Sequence, residues 1–264
     1  MFTNIRKQLS SPYSQFVLFL VVLSACAIIN TPQAITSLVV ILIVSFMLTK
    51  IIEKFITQKK KMKLSILATS LIFFLVWNPT NDLTGHLLTA FLVAFVIIYK
   101  YFGQIKGMSI FNPAALALLL GSLISQSGFF DTNTFVSWWG TDFGGGISLV
   151  IILCWCIFGL RKWGKLPLAL SFFLTFIAVT FFKNSDIAIF NLTHSTLYFA
   201  AGVMLIDPKS SPLKKYEQIY YGALTAILYV GLELQEFTYA ILLLNLMYFI
   251  RTQVKLGKTK AKDV

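Results

Sequence analysis

Strongly apolar runs recur along nearly all of the 264 residues with only short polar breaks between them, and this recurrence restricts the chain to one solvent. Ten runs fall at about 14–30, 34–49, 64–77, 86–102, 112–130, 146–160, 167–182, 187–206, 220–234 and 237–250. In hydrocarbon no water satisfies a backbone N–H or C=O, so a spanning segment must close its own hydrogen bonds. With 57% hydrophobic and 12% charged residues, an ordinary soluble domain is excluded. The expectation is an all-α polytopic integral membrane protein of about ten transmembrane helices. It forms a single integral membrane domain over 1–264, with repeat halves at about 14–130 and 146–250 and a basic tail at 251–264. Several runs are shorter than the roughly 20 residues of an upright crossing, so their ends extend into polar flanks or they are half-helices buried in protein.

The net charge of +12 raises the question of nucleic acid, and its placement answers it. Arg6 and Lys7 precede the first run, and Lys50, Lys54, Lys59, Lys60, Lys61 and Lys63 follow the second. Lys100 and Lys106 flank the end of the fourth; Arg161, Lys162 and Lys165 follow the sixth; Lys209, Lys214 and Lys215 follow the eighth; Arg251, Lys255, Lys258, Lys260 and Lys262 follow the tenth. If ten spans alternate, all of these lie on one side. The other side has only Lys183, among Asp82, Asp131, Asp142, Asp186, Glu233 and Glu236. The positive-inside rule then predicts a multi-pass protein of the cell inner (cytoplasmic) membrane, with both termini cytoplasmic and no nucleic-acid partner.

Three cysteines, none in a clear loop, make no disulfide framework. Leu23-Ser24-Ala25-Cys26 after a basic start resembles a lipoprotein cleavage site, but cleavage there would remove the first span and break the charge pattern. Cys154 and Cys156 are two apart and point to different faces of a helix, which argues against a shared metal. No Gly-rich phosphate loop, metal-spaced ligand set or nucleophile beside a base occurs. His86 and His194 lie near span ends, as interfacial histidines or as proton carriers.

Two five-span halves would be inverted relative to each other, because an odd number of crossings reverses orientation. The third run ends in Trp77-Asn78-Pro79-Thr80 and the eighth, five runs later, in Ile206-Asp207-Pro208-Lys209-Ser210-Ser211. Each places a polar acceptor before a proline, which forces extended backbone and ends the helix. Asn78 and Asp207 therefore serve as helix stops with caps or as ligand groups. Asn112-Pro113 reads as a helix start, with Asn112 the N-cap and Pro113 in the first turn. The longest external segment, from Ser125 to Gly146, carries Trp138, Trp139, Thr141 and the triple glycine Gly144, Gly145 and Gly146. Paired tryptophans at a membrane boundary act as interfacial anchors, or as an aromatic wall for a flat ring that glycine amides approach closely.

Lys100-Tyr101-Phe102-Gly103, Phe111-Asn112-Pro113-Ala114, the run from Met204 to Pro212, and Tyr239 to Asn245 together resemble the membrane flavoprotein family of the Rnf D subunit and the B subunit of the sodium-pumping NADH:quinone oxidoreductase. The likeness covers about the third run to the tenth. It implies a membrane subunit of an electron-transport complex, carrying flavin and coupling electron transfer to ion translocation. Its partners would be other membrane subunits and NADH- or iron-sulfur-containing ones, making it part of a redox-driven ion-translocating oxidoreductase. The family joins FMN to a threonine in Ser-Gly-Ala-Thr before the sixth span. Here the region reads Gly140-Thr141-Asp142-Phe143-Gly144-Gly145-Gly146, without that motif. The resemblance thus implies either FMN or riboflavin held non-covalently, with Asn112, Asp207, Asn78, Trp139, Gly145 and Thr141 as the binding residues, or a reduced homologue that has lost its flavin. Asp207 is in addition the expected coupling-ion contact, because a carboxylate near the membrane is costly unless paired or functional. The same scaffold also fits a transporter or channel for a small polar solute, with Asn112 and Asp207 lining its pore.

Overall fold

The computed structural model describes residues 11–55, 63–105, 107–128, 134–143, 146–231 and 237–260. Each of the apolar runs carries helix. The first half contains α1 (Pro12–Asn30), α2 (Ala34–Phe55), α3 (Lys63–Val76), α4 (Leu83–Phe102) and α5 (Pro113–Gln126). A small antiparallel hairpin, β1 (Gln104–Ile105) on β2 (Met108–Ser109), joins the last two. In the second half, α6 (Gly146–Cys154) passes through a π-helical turn at Trp155–Gly159 into α7 (Leu160–Trp163), and α8 (Leu166–Lys183) follows. α9 (Ser185–Thr193) precedes α10 (Ser195–Phe199), which continues through a second π-helical turn at Ala200–Met204. α11 (Lys215–Gly231) and α12 (Phe237–Lys260) complete the fold.

Local chemistry sets these boundaries. α1 starts with Pro12 behind a Ser11 cap, whose hydroxyl accepts from Ser14 N at 3.1 Å. Asp82 caps α4 by accepting from Gly85 N at 2.7 Å. α7 stops at Gly164, whose positive φ of 64° suits glycine. The eighth apolar run is not one straight helix. It breaks at His194, and α9 lies at 72° to the segment Ser195–Met204. The cause is local: Thr193 Oγ1 donates to Phe190 O at 2.8 Å and His194 Nδ1 lies 2.7 Å from the same carbonyl. Side chains thereby occupy the acceptor the next turn would have used.

Six helices among the described residues are long and apolar enough to cross a membrane: α1, α2, α4, the α6–α7 unit, α8, and Phe237–Val254 of α12. The protein is an all-α, membrane-embedded fold. The ends of its helices sort onto two faces. On one, Lys100 Nζ reaches Ser65 at the start of α3, and Lys162 Nζ reaches Gln15 in α1 at 2.9 Å. Gln218 Nε2 of α11 there reaches Gly164 O at 3.0 Å, and Arg251 of α12 lies 3.8 Å from Glu217. On the other face Ser37 of α2 donates to Thr80 O at 3.2 Å, Asp142 sits 3.8 Å from His194, and Lys183 Nζ donates to Val230 O at 2.9 Å. Among the described residues the first face carries Lys100, Arg161, Lys162, Lys165, Lys209 and Arg251 with Asp207 and Glu217, and the second carries Asp82, Asp142 and Asp186 with Lys183.

Packing pairs elements in a repeating order. α1 lies on α3, α2 on α3 and α4, and α4 on α5. α6 lies on α10, α8 on α9 and α11, and α11 on α12. Across the halves, α1 meets the first π-helical turn and α5 meets α12. The α8–α11 contact is the most extensive, and Gly222 makes it close: a Cβ there would collide with Leu168 O and stand 2.9 Å from Phe172 N.

Candidate functional site

Of the residues expected to form the site, the structure brings Asn112 and Asp207 together and sets Asn78, Trp139 and Thr141 on the opposite face. Gly145 lies outside the described residues. Asn112 has extended backbone (φ −63°, ψ 121°), as the N-cap reading requires. Its Oδ1 accepts from Ala114 N at 3.0 Å and Ala115 N at 3.3 Å, while Nδ2 donates to Met204 O at 2.9 Å. Its own N–H donates to Asn245 Oδ1 at 2.7 Å, and Asn245 Nδ2 donates to Ser210 O at 3.1 Å and to Tyr221 Oη. One buried asparagine pair therefore ties the start of α5, the end of the second π-helical turn, α11 and α12 into one junction. Every amide group in it has a partner, as burial requires.

Asp207 supports the turn beside this junction. Its Oδ2 accepts from Ser210 Oγ at 2.7 Å, and its carbonyl accepts from Ser211 N at 3.0 Å and Ser211 Oγ at 2.7 Å. Among the described residues no cation lies within 4 Å of its carboxylate. Ser211 is itself gripped by Lys165, whose Nζ donates to Ser211 Oγ and Pro212 O, both at 2.8 Å. Burial pulls the Lys165 ammonium down to about 8, with the Asp207 carboxylate pulling the other way.

Asp207 faces a cleft on the basic face. Its outer part, about 180 Å³, is lined by Tyr13, Ser65, Lys100, Ser109, Asp207 and Lys209. An inner part of about 30 Å³ continues past Thr69, Asn112 and Trp163. Lys100 is only 7% exposed, and its Nζ donates to Ser65 Oγ at 2.7 Å, to Ser65 O and to Thr69 Oγ1. Sequence reasoning missed Lys100 and Lys165, because each read as one more charge in a topological pattern. Asn245 stood out through the resemblance and as one more amide near a membrane-embedded end.

On the opposite face the end of α3 is stitched to the segment before α6. Asn78 N donates to Phe135 O at 2.9 Å, Ser137 N to Val76 O at 2.9 Å, and Trp139 Nε1 to Phe74 O at 2.8 Å. Thr141 is fully buried, with Oγ1 donating to Trp138 O at 2.8 Å. That hydroxyl does not fit attachment to a phosphate. Ser195 Oγ donates to Thr141 O and lies 3.2 Å from Asp142 Oδ1, while the His194 ring turns to Phe190 O, so Ser195, His194 and Asp142 do not form a nucleophile with its base. Asp82, on the same face, is held below the usual carboxylate range by the Thr80 hydroxyl and then the Gly85 amide. The basic-face cleft, below the roughly 300–1,000 Å³ of small-molecule and cofactor pockets, does not fit a flavin ring.

No family model and no curated protein matches the chain.

Proposed function

We propose that this chain is the membrane subunit of an electron-transport complex of the Rnf and sodium-pumping NADH:quinone oxidoreductase type, coupling electron transfer to ion translocation. The observation that carries the reading is the asparagine junction. The Phe-Asn-Pro-Ala element, the turn around Asp207 and Asn245 of α12 are the segments on which the family likeness rests, and they hydrogen-bond to one another. In this reading all ten helical runs cross the inner membrane as two inverted repeats, the basic face is cytoplasmic and both termini lie there. The order of packing supports the repeat: α1 on α3 answers α6 on α10, and α2 on α4 answers α8 on α11. Among the contacts between halves, first span with sixth and fifth with tenth are those a two-fold axis maps onto themselves.

Flavin, as FMN or riboflavin, is in this reading non-covalent and held outside the basic-face cleft, since that cleft is too small for its ring and Thr141 is sealed by its bond to Trp138 O. Electron donors and acceptors come from partner subunits bearing NADH or iron-sulfur chemistry. The test is the visible spectrum of the detergent-purified protein, co-expressed with its neighbouring subunits. Flavin bands that leave the protein on acid precipitation are expected, and a colourless, intact complex would sink the proposal.

A second reading, transport of a small polar solute, is favoured by the cleft that opens beside Asp207 on the basic face. Uptake by reconstituted vesicles that is lost in Asp207→Ala, with folding intact, would establish it in place of the first.

A further inference from the structure

Lys100 is a buried ammonium with no role in holding the asparagine junction. Its three partners are a carbonyl and two hydroxyls, and among the described residues no carboxylate lies within 4 Å. A buried charge with no carboxylate in direct contact is costly, and in a membrane span it marks function by default. The charged and titratable groups facing it are Asp207 and Lys209 from the turn and Tyr13 from α1. Ser65 and Thr69 of α3 and Ser109 of β2 supply only uncharged groups.

This set of partners suits both protonation states. The ammonium needs three acceptors and finds them. The neutral amine needs two acceptors and one donor, and Thr69 Oγ1, now 3.1 Å from Ser65 O as a donor, is able to turn its hydrogen toward the amine. A lysine with only carbonyl partners would lack that second solution. Water also has a way in. The outer cleft of about 180 Å³ is lined by Lys100 on the basic face, and the inner part, about 30 Å³, matches the volume of roughly one water. Trp163 lines the inner part, and its Nε1–H has no partner among the described residues, leaving a donor for that water. Ile72, Val203 and Ile206 give the rest of the inner part an apolar lining.

We infer that this cleft is a proton-exchange site open to the basic face: Lys100 takes a proton from cleft water and returns it, with Asp207 as the nearby counter-charge. Uptake breaks one O–H bond of a hydronium ion in the cleft, leaving water, and forms one N–H bond; release is the reverse, and neither transfers an electron or needs a cofactor. It stands on the cleft alone and does not depend on the electron-transport reading.

The test uses the whole wild-type chain in lipid vesicles, without flavin or partners. Only a neutral, water-accessible amine attacks acetic anhydride, displacing acetate and releasing a proton. Mass spectrometry after brief exposure at increasing pH is expected to find acetyl-Lys100 alongside acetyl-Lys209, its yield rising with pH. Lys100 left unmodified in folded protein, while Lys209 reacts and Lys100 reacts once detergent unfolds the chain, would overturn the inference. As a second measure, Lys100→Met is expected to unfold at no lower temperature than wild type. A clear loss of stability would make Lys100 a structural ammonium, and the exchange site would fall.

Discussion

Replacing Asn112 by alanine removes two separable things. Ala114 N and Ala115 N lose the oxygen that caps them, typically worth about 1 kcal/mol. Met204 O loses its side-chain donor at a position only 1% exposed, where water does not substitute easily, at about 1–3 kcal/mol. The bond from Asn112 N to Asn245 Oδ1 survives, being a backbone donor. The expected loss is therefore about 2–4 kcal/mol. Asn112→Asp separates the parts, since a carboxylate keeps the cap but turns its second oxygen toward the Met204 carbonyl. Its loss is expected to equal or exceed that of alanine. Unfolding by added SDS, followed through tryptophan fluorescence, measures both variants against wild type. An aspartate variant as stable as wild type would mean that Asn112 is only a helix cap, and the junction between the halves would lose its central member.

Lys165 predicts a pH dependence of definite sign. Its folded value of about 8 lies below the ordinary 10.5, so the unfolded chain binds more protons between those values, and stability is expected to rise as pH increases from about 8 to about 10.5. Lys165→Met should flatten that part of the profile in the same SDS titration; an unchanged slope would show that Lys165 is not its source. Gly222→Ala places a Cβ against Leu168 O and Phe172 N, and is expected to abolish the monodisperse detergent peak or to lower unfolding temperature sharply. A variant as stable as wild type would refute the close α8–α11 approach.

The site was only partly legible in the residues. Asn112 reads as a cap because Asn before Pro at the head of an apolar run has few other uses, and the structure agrees. That the same side chain also secures Met204 O, ninety-two residues away, has no local signal. The expected site combined Asn112 and Asp207 with Asn78, Trp139 and Thr141, although these groups lie on opposite faces. All five lie at or between the ends of apolar runs, and residue type carries no information about which end is which. Lys100 was hidden for a related reason, since a lysine at a helix end looks the same in sequence whether it snorkels to water or turns inward to Ser65 and Thr69.

What the sequence determined by itself was solvent and rhythm. Long apolar runs oblige the backbone to satisfy itself as helix, and the alternation of basic and acidic breaks sorts the helix ends into two groups. Both follow from properties of a residue and its near neighbours. Tertiary structure alone decided that the eighth run bends at His194, that Asn112 and Asn245 close one junction, and that Lys100 lines a cleft. Those outcomes depend on which distant carbonyl or hydroxyl lies within 3 Å, and only packing places it there.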